Sequence, residues 1–248
     1  VKQLSPEEWT RISLGDLKNF SDDKELSAFI ASRKAHITNI DLFKELYLWQ
    51  KPLKLEFPPE YHNGFNLDPR LEAVLQLMKK YNVKDLLDIG SRAGYLLFAG
   101  KLKGVITKGT GVELATCYYD LCQRAVSHFN ISGIDFINSM IEDFTTDRKY
   151  DCAVIAEVLE HVIDPLTVLK KAKSLLKDSG YLIITVPTGR FTASSEEIEI
   201  IKSEKIQEHV HYFSRDYLTE VAQSAGFKYI EAFSIGHGWT SDISIYSA

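Results

Sequence analysis

The chain has 248 residues, 45% of them hydrophobic and 11% aromatic, with 29 basic against 34 acidic side chains and a formal charge of −5. That is enough apolar material for one large domain or a domain with an appendage, and the acidic balance offers no general attraction to a polyanion, so nucleic acid is disfavoured as a partner. Cys117, Cys122 and Cys152 form no C-x-x-C pair, which excludes a disulfide framework or thiolate zinc site as the organising feature and makes the reducing cytoplasm the expected compartment.

No apolar run approaches the roughly 18 residues needed to span a bilayer, and the first residues lack a signal-peptide apolar region. The chain starts at Val1 rather than Met, compatible with trimming and with excision from a longer polypeptide alike. Residues 1–67 carry helical spacing, broken by the Pro-rich "KPLKLEFPPEYHNGF", and read as a helical N-terminal appendage. Tyr61 and His62 within it are placed to fold over a ligand as part of a lid. Trp9 and Trp49 read mainly as packing for the appendage.

The core domain, residues 68–248, opens with Asp68 as a helix cap and Pro69 at the first helical position, with Leu71, Val74, Leu75 and Met78 on one face. Short apolar strands then alternate with helical segments: "KDLLDI", "GTGVEL", "IDFIN", "YDCAVIA" and "GYLIITVP". This rhythm predicts an α/β fold, a parallel sheet covered on both faces. "DPLTVLKKAKSLLKDSG" repeats the Asp-Pro start at Asp164 and Pro165, and its helix is expected to stop near Gly180. A segment after the fifth strand begins a helix near Ser194 with Glu197 three residues on, and brings Arg190 and Phe191 toward an acceptor. A last helix runs from Ser214 to Gly226, after which "KYIEAFSI" and "SDISIY" pair antiparallel.

The first strand ends in "DIGSRAGYL", residues 88–96. Gly90 lets the chain turn sharply, and Gly94 lets the following helix approach the sheet without a Cβ between them. A Gly-x-x-x-Gly pattern alone says little, but Glu113 ends the second strand 19 residues beyond Gly94, where a carboxylate can accept both hydroxyls of a ribose. Arg92 stands where such turns usually carry glycine, and the G-x-G-x-x-G of a nicotinamide dehydrogenase is absent.

Taken as a set, "LLDIGSRAGYL", "GTGVEL", "YDCAVIAEVLEHVIDPLTVLKKAKSLLKDSGYLIITVP" and "EHVHYFSRDYLTEVAQSAGF" resemble successive motifs of the class I S-adenosylmethionine-dependent methyltransferases. The resemblance lies with the branch of ubiquinone-biosynthesis O-methyltransferases and related natural-product enzymes. It implies a Rossmann-like seven-stranded sheet, mostly parallel with the last strand antiparallel. It also implies S-adenosylmethionine as cofactor, with Asp88, Gly90, Ser91 and Gly94 lining its methionine end and Glu113 holding its ribose. Leu114, Met140 and Ile141 then flank the adenine, in place of the acidic residue such enzymes usually carry there, with Asp143 as a lesser candidate. Glu157 and Tyr61 complete the cofactor set. A sulfonium donor has no pyrophosphate, so an arginine at position 92 is tolerable. Its side chain either points away from the cofactor or meets the carboxylate of the methionine part.

"AEVLEH" follows the fourth strand. If it is helical, Glu157, Glu160 and His161 share a face, and such a mixed oxygen and nitrogen set suits Mg, Mn, Fe or Zn. The resemblance implies that these three, with His209 as the later histidine and His211 in reserve, are metal ligands. The alternatives are a metal-free His161 as base and a structural role. Methyl transfer from a sulfonium chiefly requires an aligned acceptor and removal of its proton. A metal would hold the acceptor oxygen as an anion, whereas a neutral imidazole takes the proton directly. The expected function is therefore methyl transfer to a hydroxyl of a small metabolite such as a quinone precursor, polyketide or sugar, with His161 as the catalytic residue. An RNA 2'-O-methyltransferase and a non-catalytic cofactor-binding module are the alternatives. The sequence identifies neither the acceptor nor the oligomeric state.

Overall fold

The computed structural model describes residues 57, 61, 64, 67–187, 211, 213–236 and 240–248. The expected acceptor residues Arg190 and Phe191, the helix start at Ser194 and Glu197, Trp9, Trp49, His62 and His209 all lie outside the described residues.

Seven strands make one sheet: β1 (Asp85–Ile89), β2 (Lys108–Glu113), β3 (Ile134–Asn138), β4 (Tyr150–Ala156), β5 (Leu176–Pro187), β6 (Lys228–Gly236) and β7 (Thr240–Ser247), in the order β3-β2-β1-β4-β5-β7-β6. The first five run parallel. The last strand, β7, is antiparallel to both of its neighbours, as "KYIEAFSI" and "SDISIY" suggest. Five helices are described: α1 (Pro69–Lys80), α2 (Tyr95–Leu102), α3 (Thr116–His128), α4 (Pro165–Leu175) and α5 (Arg215–Ser224).

The helix starts follow from capping chemistry. Asp68 accepts the amide of Leu71 at 2.9 Å, Asp164 accepts those of Leu166 and Thr167 at 3.0 and 3.2 Å, and Ser214 accepts that of Tyr217 at 3.2 Å. Each satisfies amides that the first turn leaves unpaired. The end of α4 departs from expectation. The helix stops at Leu175 rather than near Gly180, because Leu176 already pairs with Tyr150 at the start of β5. Polar residues 177–179 then bulge outward before the ladder resumes at Tyr181 opposite Cys152.

Alternation along the central strands divides the core in two. Leu87, Ile89, Ala153, Ile155, Leu182 and Ile184 pack with α4 and α5, while Leu86, Cys152, Val154 and Ile183 pack with α1, α2 and α3. Both faces of the central parallel strands are dry, as such strands require. Truncating one such side chain to alanine costs about 2–5 kcal/mol. The rigid sheet presents the carboxyl ends of β1, β2, β3 and β4 along one edge, and strand order reverses between β1 and β4. That reversal opens the crevice in which α/β proteins bind their ligands.

Candidate functional site

Two acids stand at the tips of adjacent strands. Asp88 on β1 and Glu113 on β2 are both buried, 4% and 7% exposed. Burial and the neighbouring charge of Glu113 push the Asp88 carboxyl up to about 7. Burial also raises Glu113, and the amides of Ala115 and Arg92 pull it the other way. Those amides are direct partners: Ala115 donates to Oε1 at 2.7 Å and Arg92 to Oε2 at 2.6 Å. Two hydrogen bonds leave further lone pairs on the carboxylate, which can take about four.

The turn after β1 is bent by left-handed backbone at Gly90 (φ 73°), Arg92 (φ 47°) and Gly94 (φ 69°). A Cβ at Gly90 would lie 2.4 Å from Val158 of the turn after β4, and one at Gly94 would lie 2.7 Å from Phe136 on β3. Both glycines are therefore required by space as well as by φ. The amides of Gly90 and Ser91 donate to Val112 O at 2.8 and 3.2 Å, that of Gly94 to Ser91 O at 2.8 Å, and that of Arg92 to Glu113. With four amides spent internally, the turn is not the cradle of free N–H groups that a phosphate needs. The Ser91 hydroxyl is buried with no hydrogen-bond partner among the described residues.

The Arg92 side chain leaves the turn outward. Its Nε donates to the Tyr118 hydroxyl at 3.1 Å, and its guanidinium lies 5.3 Å from the centre of that ring on α3. Tyr61 sits behind the turn instead of lying open over it. It is 4% exposed, and its hydroxyl donates to the Ala93 carbonyl.

Leu114 and Met140 are half-buried beyond β2 and β3, whereas Ile141 is buried in the α4–α5 side of the core and Asp143 is exposed. Asn138 staples this corner, its Nδ2 donating to the carbonyls of Glu113 and Leu114, each at 2.9 Å.

The stretch "AEVLEH" is a turn, not a helix, which corrects the i, i+3, i+4 reading. Glu157 adopts φ 55°, and the chain reverses in order to deliver Asp164 as the cap of α4. Glu157 Oε1 accepts the Thr185 hydroxyl at 2.9 Å and pairs with Arg70 Nη1 at 3.4 Å. Glu160 is 1% exposed. Its burial, and then the charge of Glu157, hold it well above the carboxylate range, and its Oε2 has no partner among the described residues. His161 is half-buried, its Nε2 at 3.8 Å from Glu160 Oε1. His211 is fully buried, with Nε2 3.3 Å from Ile163 O and its amide donating to Glu160 O at 3.0 Å. Among the described residues no three of His, Cys, Asp or Glu gather as a metal set. The expected ligands Glu157, Glu160 and His161 thus do not converge by themselves.

Arg70, on the first turn of α1, was not among the expected site residues. Its guanidinium is largely buried against Glu157, and its Nε and Nη1 carry no hydrogen bond among the described residues. A cation in the first turn of a helix opposes the helix dipole, and this is the one local signal that marks it.

A family model for a methyltransferase domain matches residues 63–232. The ubiquinone biosynthesis O-methyltransferase of Actinobacillus pleuropneumoniae is 30% identical over 122 residues, covering 47% of this chain and 51% of that protein. The chain thus spans about half the length of the curated relatives it matches first. Among solved structures, the magnesium protoporphyrin IX methyltransferase of Synechocystis with bound S-adenosylhomocysteine superposes with a TM-score of 0.59 at 13% identity, covering 86% of this chain and 96% of that one. The N-methyltransferase NodS of Bradyrhizobium japonicum, in complex with S-adenosylhomocysteine, gives 0.55 at 16% identity, covering 82% and 95%. At these identities the two structures speak for the fold alone.

Proposed function

We propose, from the premise that this chain belongs to the class I S-adenosylmethionine-dependent methyltransferases, that it transfers a methyl group to a hydroxyl of a small molecule. The observation that carries the reading is the pair of buried strand-tip acids beside a turn whose amides are already spent. Such a crevice suits a ligand with a ribose and a cationic end, and it does not suit a pyrophosphate.

The residues fit that cofactor. Glu113, with lone pairs left over after holding Arg92 and Ala115, accepts the ribose hydroxyls. Asp88 faces the cationic methionine end; a positive charge there favours its ionised form and offsets the cost of burial. Arg70, whose Nε carries no hydrogen bond among the described residues, offers a donor to the carboxylate of the same methionine part. This assigns to Arg70 what the sequence left open for Arg92, whose side chain is committed to Tyr118. Leu114 and Met140 supply half-buried apolar surface for the adenine. The bound cofactor supplies an electrophilic methyl on a sulfonium with a good leaving group.

What remains for the protein is to hold the acceptor hydroxyl in line and to take its proton. His161, at the turn after β4, is the group for that step. Glu160 beside it is 1% exposed, and burial shifts its carboxyl upward. The O-methyltransferase relatives support hydroxyl as the acceptor class. Calorimetric titration with S-adenosylhomocysteine, followed by methyl transfer from labelled donor to hydroxylated phenols, quinols and sugars, tests the proposal. Binding in the micromolar range with transfer to one class is expected. Absence of binding defeats it.

A further inference from the structure

Three of five residues in the turn after β1 have positive φ, and one of them, Arg92, is not a glycine. Left-handed backbone at a residue with a Cβ carries an intrinsic cost, and it persists only where surrounding contacts over-determine it. Three contacts hold this backbone. Arg92 Nε is tied to the Tyr118 hydroxyl, the Cys122 thiol donates to Arg92 O at 3.4 Å, and the Tyr61 hydroxyl donates to the next carbonyl, Ala93 O. Tyr118 and Cys122 are four residues apart and share one face of α3.

Tyr61 reaches the turn from a different part of the chain. Its ring lies 5.5 Å from Phe57, in a stacked arrangement, and 5.5 and 5.9 Å from Phe98 and Tyr95 in edge-on arrangements. Phe57 in turn packs on the far end of α3, against His128 and Phe129 at 5.1 and 5.2 Å, with Arg124 5.7 Å from its ring.

We infer that Tyr61, with Tyr118 and Cys122, clamps the Arg92–Ala93 backbone in the shape that binds the cofactor, so that Tyr61 is a positioning residue for cofactor affinity. The clamp takes the place of the glycine that such turns usually carry at the position of Arg92. The inference rests on the cofactor reading above. Tyr61 acts through Ala93: fixing that carbonyl fixes the peptide plane whose amide, at Gly94, donates to Ser91 O, and it keeps the Arg92 amide aimed at Glu113. A turn shaped before the ligand arrives spares the cost of ordering it on binding.

The test compares Tyr61→Phe, which keeps the ring packing and removes the hydroxyl, with Tyr118→Phe at a more exposed site that leaves the core intact. S-adenosylhomocysteine titration should show a Kd raised about five- to tenfold for Tyr61→Phe and about two- to fourfold for Tyr118→Phe. In the ligand-free protein, the Arg92 and Gly94 amides should exchange hydrogen faster in both variants. A purely structural role would lower the melting temperature and leave Kd and these two amides unchanged, and that result in both variants overturns the inference. If the unaltered protein itself fails to bind S-adenosylhomocysteine, it is the cofactor reading that fails.

Discussion

The carboxylate of Glu113 receives the backbone amide of Arg92 at 2.6 Å, joining the tip of β2 to the turn that follows β1. The same carboxylate takes the Ala115 amide at 2.7 Å, so one side chain fixes two loops that flank the crevice. A carboxamide cannot do this, because it has a single acceptor oxygen. Glu113→Gln should leave one buried amide facing an N–H, at a cost of about 1–3 kcal/mol. That corresponds to about 2–4 °C of melting temperature for each kcal/mol in a chain of this size. Affinity for S-adenosylhomocysteine should fall at least about tenfold with the loss of the paired acceptors. Unchanged melting and unchanged affinity together would remove Glu113 from the site.

Asp88 makes the site sensitive to pH. Its carboxyl is raised from the ordinary 3.8 to about 7, so the folded protein holds a proton that the unfolded chain has released between those values. Stability of the ligand-free protein should therefore fall as pH rises from about 4 to 7 and level off above. Asp88→Asn should flatten that dependence and raise the melting temperature at pH 8, at the expense of ligand binding. Because a ligand with a cationic end binds the ionised form, affinity should rise about tenfold between pH 6 and pH 8. Melting curves and titrations across that range, on both proteins, check the two slopes. A parallel pH dependence in the asparagine variant would assign the effect elsewhere.

Arg70 and Arg92 separate cleanly by experiment. Arg70 is half-buried, its Nη1 against Glu157 and its Nε without a hydrogen bond among the described residues, while Arg92 is exposed and bound to Tyr118. Arg70→Ala should weaken S-adenosylhomocysteine binding about 10–100-fold, the range for a lost charge-assisted bond. Arg92→Ala should change it less than about fivefold, because its backbone contribution survives. The reverse ranking would return the cofactor carboxylate to Arg92.

Most of the fold was legible because strand and helix periods differ and because Asp68, Asp164 and Ser214 announce helix starts. The glycine turn and Glu113 could be placed because close approach at a strand end leaves so few residue types possible. The turn at 157–161 is not legible for a physical reason: Glu, Leu and His are ordinary helix residues, and nothing local shows that the chain must turn there to cap α4 at Asp164. Tyr61 was seen as part of a ligand cover, yet its partner Ala93 lies 32 residues away, and no spacing rule encodes that distance. Arg70 has no such signal beyond its place in a first turn, because its partner Glu157, held by the Thr185 hydroxyl of β5, is 87 residues away along the chain.

The chemical step should depend on His161 as the proton acceptor. Removing a positioned general base typically costs about 10²–10⁴-fold in rate, so His161→Ala should lower kcat by that range while the Kd for S-adenosylhomocysteine stays within about threefold. Glu160→Gln should have a smaller effect. Burial favours the neutral form of its carboxyl, which the amide imitates. If the His161 imidazole takes the proton unaided, activity should also survive exhaustive chelation, with Glu157 engaged by Thr185 and Arg70. Loss of activity on chelation, restored by Mg, Mn, Fe or Zn, would instead recruit His209 and make the metal, not the imidazole, the agent that lowers the acceptor's pKa. The pH profile of kcat distinguishes the two, because a limb carried by His161 disappears in the alanine variant and one carried by a metal-bound oxygen follows the identity of the ion.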